Sequence, residues 1–198
     1  MKYQPLNLGR WLLWGATAAV FVIAPLVFTD SFALTMLTQM GAFIIFALSY
    51  NMLLGQGGML SFGHAVYSGL GAYITVHVLN LVGKGAFYVP VALLPLVGGL
   101  AGLAFGVLFG YVTTKRAGTT FALISLGIGE MVFACVLMFP GFFGGEAGVS
   151  TNRVVGKSFL GLTFGPAIQV YYLVALWCFA CMAAMFALTQ TPLGRMAN

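Results

Sequence analysis

The chain has 198 residues, of which 61% are hydrophobic and only 6% charged, with a mean hydropathy of +1.04. A soluble domain carries about 25% charged residues, so the composition excludes a soluble enzyme or binding module and leaves a polytopic membrane protein. The net charge of +5 does not indicate nucleic acid as a partner, because no basic run exceeds Lys115-Arg116.

A bilayer-spanning helix takes roughly 20 apolar residues, and the sequence predicts about six such spans in an all-α transmembrane bundle. The first covers residues 11–28 and ends at Thr29-Asp30. Lys2 and Arg10 precede it in the manner of a signal peptide, but its apolar run is longer than the usual signal core, so it reads as an uncleaved span. The second covers residues 32–54 and leads into a glycine-rich stretch. The third, residues 59–82, is glycine-rich itself and liable to break; Asn80 and Gly83-Lys84-Gly85 mark its exit. The fourth, residues 88–112, is stopped by Lys115-Arg116. The fifth, residues 119–139, ends at Pro140-Gly141, and a polar loop to Gly165 leads to the sixth, residues 167–188.

Positive charge sets the expected orientation. With the amino terminus inside, Lys2, Arg10, Lys115, Arg116 and Arg195 are cytoplasmic, and Lys84, Arg153 and Lys157 are outside, the usual direction of the bias. The three cysteines, Cys135, Cys178 and Cys181, all fall in apolar runs. Cys178 and Cys181 have C-x-x-C spacing, but no second pair or neighbouring ligand accompanies them, so they read as small buried hydrophobes and no metal is expected.

The fourth span carries Gly98, Gly102, Gly106 and Gly110 at intervals of four, a ridge that lets another helix approach closely. Two readings remain for it: a static helix contact, or a sliding one in a moving transporter. Residues 55–73, GQGGMLSFGHAVYSGLGAY, are more unusual. Glycine inside a helix costs about 1 kcal/mol relative to alanine, yet six occur here beside Gln56, Ser61 and His64. Gly57, Ser61, Ala65 and Gly69 recur every fourth residue and would form a bare helix edge. Gly55, Gly57 and Gly58 would instead permit local unwinding, which a membrane tolerates only in a cavity or within protein. Polar, breakable segments between apolar helices are where transporters build binding sites.

The block Asn51-Met-Leu-Leu-Gly55-Gln-Gly-Gly-Met-Leu-Ser61-Phe-Gly-His64-Ala, continuing to Gly69 and Gly71-Ala-Tyr73, resembles the permease subunits of branched-chain amino acid ABC importers. That family shows Leu-Ser-Leu-Gly-His-Ala followed by Gly-x-Gly-Ala-Tyr; Phe62 replaces the middle leucine here. Gly129-Glu130 is similar to a Gly-Glu pair of the family, and Gly144-Gly145-Glu146-Ala147-Gly148 resembles its Gly-Gly-x-x-Gly loop element. Thr191-Pro192-Leu193-Gly194-Arg195 looks like the lead-in to the coupling helix that meets the ATPase. The resemblance covers nearly all of the chain and about two thirds of a usual member, so residues 1–198 read as a single permease domain, incomplete at its carboxyl end.

The resemblance implies a multi-pass subunit of the bacterial inner membrane. It would work with a second permease subunit, cytoplasmic ATP-binding subunits and an extracytoplasmic substrate-binding protein. The chain has no Walker A pattern, so any ATP would be hydrolysed by a partner, and the subunit would need no cofactor and be no enzyme. The expected path residues are Gln56, Gly57, Gly58, Ser61, His64 and Glu130. Gly144, Gly145, Glu146 and Gly148 would form an outer loop near the substrate entrance, or simply a flexible connection. Thr191, Pro192, Gly194 and Arg195 would couple to the ATPase. His64 reads equally as a packed, hydrogen-bonded residue, and Glu130, alone among acidic groups deep in a span, as a structural hydrogen bond or a proton-coupling group facing the interior. Ser61 and His64 lack the G-x-S-x-G setting and an acidic partner of a hydrolase. A partner-independent channel or secondary carrier is the main alternative, and an accessory subunit a further one. The solute is not identified by sequence.

Overall fold

A computed structural model describes residues 8–86, 88–116, 118–154 and 163–191. Among them the chain is helix and loop, without strands. The long helices are α1 (Leu8–Val27), α2 (Ser31–Asn51), α3 (His64–Gly83), α4 (Leu94–Thr113) and α5 (Thr119–Met138). A short α6 (Pro140–Phe143) precedes the last long helix, α7 (Ala167–Gln190). Among the described residues, five helical segments are long and apolar enough to cross a membrane, and the apolar part of α1, Trp11–Val27, is a shorter sixth. The all-α bundle expected from the apolar runs is therefore present, with boundaries close to those predicted.

Two groups of helices make the bundle. α7 packs against α2 and α1, and α3 packs against α4 and α5. In the first group Trp14 of α1 meets Phe179 and Phe186 edge-on at 5.3 and 5.7 Å, and the Tyr171 hydroxyl donates to the Phe21 carbonyl at 3.0 Å. Cys178 is fully buried in α7, and all three cysteines are free thiols. In the second group, backbones meet directly: a Cβ built at Gly71 of α3 would lie 2.7 Å from the Gly98 carbonyl of α4, and one at Gly102 3.3 Å from the Tyr67 carbonyl. Many large apolar side chains, such as Leu13, Phe32, Leu103 and Phe133, remain exposed, as lipid-facing positions in a bilayer require.

The third span differs most from its predicted form. Helix α2 continues into a wide π-helical turn, Met52–Gln56, in which the Gly57 amide reaches back to the Met52 carbonyl at 3.2 Å. Residues 57–63 are not helical, and α3 begins only at His64. The break thus precedes the helix instead of interrupting it. The edge expected from Gly57, Ser61, Ala65 and Gly69 does not form, since its first two members lie outside α3 and a Cβ at Gly69 would touch nothing within 4 Å. The close contact uses Gly71, which packing against Gly98 selects.

At the far end of α3 the loop after α5 is folded back as a cap. His77 Nε2 donates to the Phe142 carbonyl at 2.7 Å, and its ring stacks on Phe142 at 4.6 Å. Tyr73 meets Phe143 edge-on at 4.9 Å, and Asn80 donates to the Ser150 carbonyl at 3.4 Å. Gly144 has φ +79°, and a side chain there would collide with the Gly148 carbonyl, so this turn requires glycine.

Candidate functional site

The carboxyl ends of α2, α4 and α7 meet the amino ends of α3 and α5 around a cleft of about 540 Å³, within the usual range for small-molecule sites. Its polar lining comes from Ser49, Gln56, Ser61, His64, Tyr67, Thr113, Thr114 and Thr191, and its apolar lining includes Met52, Leu53, Met59, Phe121 and Leu188. Among the described residues, no charged one lines it. Gly106 and Gly110 face the same space, and a Cβ at either would meet nothing within 4 Å. The α4 ridge is consequently divided, with Gly98 and Gly102 in helix contact and Gly106 and Gly110 in the cleft wall.

The non-helical segment that forms one wall is anchored from α5. The Phe62 amide donates to Ser125 Oγ at 3.0 Å, and Ser125 Oγ in turn donates to the Ala122 carbonyl at 2.8 Å. Gly63 lies so close that a Cβ would collide with the Ser125 carbonyl. Backbone freed from helical bonding is thereby either paired or set beside a cavity, the condition for unwound chain at membrane depth.

His64 sits in an aromatic frame, with Phe46, Tyr50 and Tyr67 at ring separations of 5.2, 5.5 and 6.2 Å. Its Nε2 is 2.8 Å from Ser49 Oγ. Ser49 Oγ also donates to the Phe46 carbonyl at 2.8 Å. A hydroxyl has one proton to give; with it on the Phe46 carbonyl, a neutral His64 donates from Nε2 to Ser49 and carries its lone pair on Nδ1. Nδ1 is buried without a hydrogen-bond partner, and so is Oε1 of Gln56. An unsatisfied buried acceptor costs about 1–3 kcal/mol. Gln56 also borders a second hollow of about 340 Å³ between α1, α2 and α7, together with Asn51, Thr17 and Thr189.

The structure therefore brings Gln56, Gly57, Ser61 and His64 to one cleft, with Gly58 next to them in the chain at φ +61°. Glu130 is not with them. It is exposed on α5 and absent from the cleft lining, contrary to the expectation that it faces the interior; it shares a four-residue ridge of the helix with Gly118, Ala122 and Ala134. Only Ala122 of that set is buried, because Phe121, Ala122 and Ser125 set the helix register against its neighbours. Gly144, Gly145, Glu146 and Gly148 lie in the cap beyond the other end of α5, remote from the cleft, and form an ordered turn. Thr191 lines the cleft, while Pro192, Gly194 and Arg195 lie outside the described residues, as do Lys2 and Lys157.

Sequence reasoning missed Ser49, Tyr67, Thr113 and Ser125. Ser49 stands 15 residues before its partner His64, and Ser125 63 residues beyond Phe62, so no local spacing marks either pair. Thr113 was more legible, as a polar residue one turn past a ridge of glycines. Among the described residues no group of His, Cys, Asp and Glu is arranged to hold a metal.

Apolar helices around a polar cleft, one wall of which is unwound backbone, define a polytopic membrane protein with a hollow of small-molecule size. Residues 32–197 match the family described as "Branched-chain amino acid transport system / permease component", and the chain belongs to that family. It is 28% identical over 174 residues to the "High-affinity branched-chain amino acid transport system permease protein LivM" of Escherichia coli (strain K12). It is 27% identical over 174 residues to the protein of the same description in Salmonella typhimurium (strain LT2). Each match covers 77% of this chain and 40% of the relative, so the chain spans well under half the length of the curated relatives it matches. No solved structure matches it.

Proposed function

We propose that this chain forms part of the translocation path of an ABC importer for branched-chain amino acids or similar small polar solutes. The observation that carries the reading is the convergence of Gln56, Ser61 and His64, from a segment that resembles the family's motif, on one cleft between the two helix groups. Gly57 and Gly58 give that wall a backbone able to change shape. The chain acts as a transport subunit and not as an enzyme, with no cofactor of its own. ATP is hydrolysed by cytoplasmic partner subunits, and a second permease subunit and an extracytoplasmic binding protein complete the assembly.

In this reading Lys115 and Arg116, which follow the cleft residues Thr113 and Thr114, mark the cytoplasmic end in a bacterial inner membrane. The amino terminus is then cytoplasmic, and the cap carrying Gly144, Gly145, Glu146 and Gly148 lies outside, beneath the binding protein. In that orientation the cleft lies at the inner end of the helices. Thr191 in the cleft wall leads into Pro192, Gly194 and Arg195, the segment that would carry the ATPase's motion. Transport along this path does not require Glu130 to touch the solute.

Reconstitution in proteoliposomes with the partner subunits tests the reading. Labelled leucine is expected to enter only with both ATP and the binding protein present, and His64→Ala is expected to abolish uptake. Flux without ATP would instead establish a partner-independent carrier, and wild-type uptake by His64→Ala would remove the histidine from the path.

A further inference from the structure

Two buried side-chain atoms in the cleft residues lack a hydrogen-bond partner, and both are acceptors. Ser49 gives its proton to the Phe46 carbonyl and takes the one on His64 Nε2, which fixes Nδ1 as an acceptor. Gln56 Oε1 is a second acceptor, and no protein group donates to either atom. Both residues line the same cleft, whose lining among the described residues includes no lysine or arginine and is largely apolar in surface. What completes these two atoms brings hydrogen to them, and its body lies against Met52, Leu53 and Met59.

We propose that His64 Nδ1 and Gln56 Oε1 form the head-group subsite of the cleft, receiving the N–H donors of an ammonium or amide on a small aliphatic solute. This rests on the reading of the cleft as a solute path. Both atoms are covered in the present conformation, so the head group reaches them as the wall re-forms around it. Gln56 sits on the wide π-helical turn and is followed by Gly57 and Gly58, where no side chain resists that movement. Ser49 is a positioning residue: it holds the imidazole in the tautomer that accepts.

Two isosteric probes separate a donor from mere size: isocaproamide, and its methyl ketone analogue in which CH3 replaces NH2. Binding of each to the full chain in nanodiscs is measured by saturation-transfer NMR. The amide is expected to bind about tenfold more tightly than the ketone, the ratio given by one ordinary net hydrogen bond. His64→Asn keeps an acceptor near Nδ1 and loses the link to Ser49, whereas His64→Gln keeps the link and loses the acceptor. The preference is expected to survive in His64→Asn and to vanish in His64→Gln; a purely structural histidine gives the opposite order.

Equal binding of amide and ketone would overturn the proposal and show that water satisfies the two acceptors, while leaving the cleft as a path. An amide preference unchanged in His64→Gln would also overturn it. Absence of binding by both probes would overturn it as well, and the ATP-dependent leucine uptake described above then decides separately whether the path reading survives.

Discussion

The two ends of the α3–α4 pair are built from the same small residue to opposite effect. Towards the cap, Gly71 fits against Gly98, with the Gly98 carbonyl 2.7 Å from where a side chain would begin. Towards the cleft, Gly106 and Gly110 continue the same four-residue spacing on α4 but face empty space. Absence of a side chain serves contact at one end and room at the other. Small-residue spacing therefore reports that bulk is excluded, without saying whether a helix or a solute benefits.

Substitutions should separate the two uses. The largest expected effect is on folding: Gly71→Leu drives a side chain into the α4 backbone, and overpacking costs about 1–3 kcal/mol or more. It should markedly lower the melting temperature in detergent; an unchanged melting temperature would break the contrast at its tight end. Next, Gly110→Leu places its bulk in the cleft, so leucine uptake should collapse while melting stays within a degree or two, roughly what a surface change allows. A stability loss as great as that of Gly71→Leu would show that this half of the ridge is packed too. The smallest effect belongs to the cap. His77→Ala removes one hydrogen bond and a ring stack, about 1 kcal/mol, and should speed amide hydrogen exchange over residues 140–150 with no change near His64.

Much of this arrangement is visible in the sequence because apolar runs of membrane-spanning length leave little freedom. The spans ending near Val27, Gly83, Thr113 and Met138 all follow from hydropathy and from the Gly, Pro or charged residues after them. The start of α3 was displaced, from Met59 to His64, because a glycine-rich segment has no apolar periodicity to date its first turn. The facing of Glu130 was misjudged for another reason. The cost of a charge deep in a span points Glu130 to the interior, whereas the register of α5 is set by Phe121, Ala122 and Ser125 against the neighbouring helices. Gln56, Ser61 and His64 were legible as a group because they are close in sequence. Their supports, Ser49 and Ser125, were not, since those pairings exist only once the chain has folded.

One feature of α5 reaches further than its own packing. Near its first turns Ser125 grips the backbone at Phe62, and immediately past Met138 the chain turns into the capping helix that Phe142 fixes to His77. A helix of 20 residues is about 30 Å long and stiff along its axis. Tilting or sliding it by a fraction of a turn would tug the solute wall on one side of the membrane and the lid on the other in a single stroke, as a push-rod joins two valves.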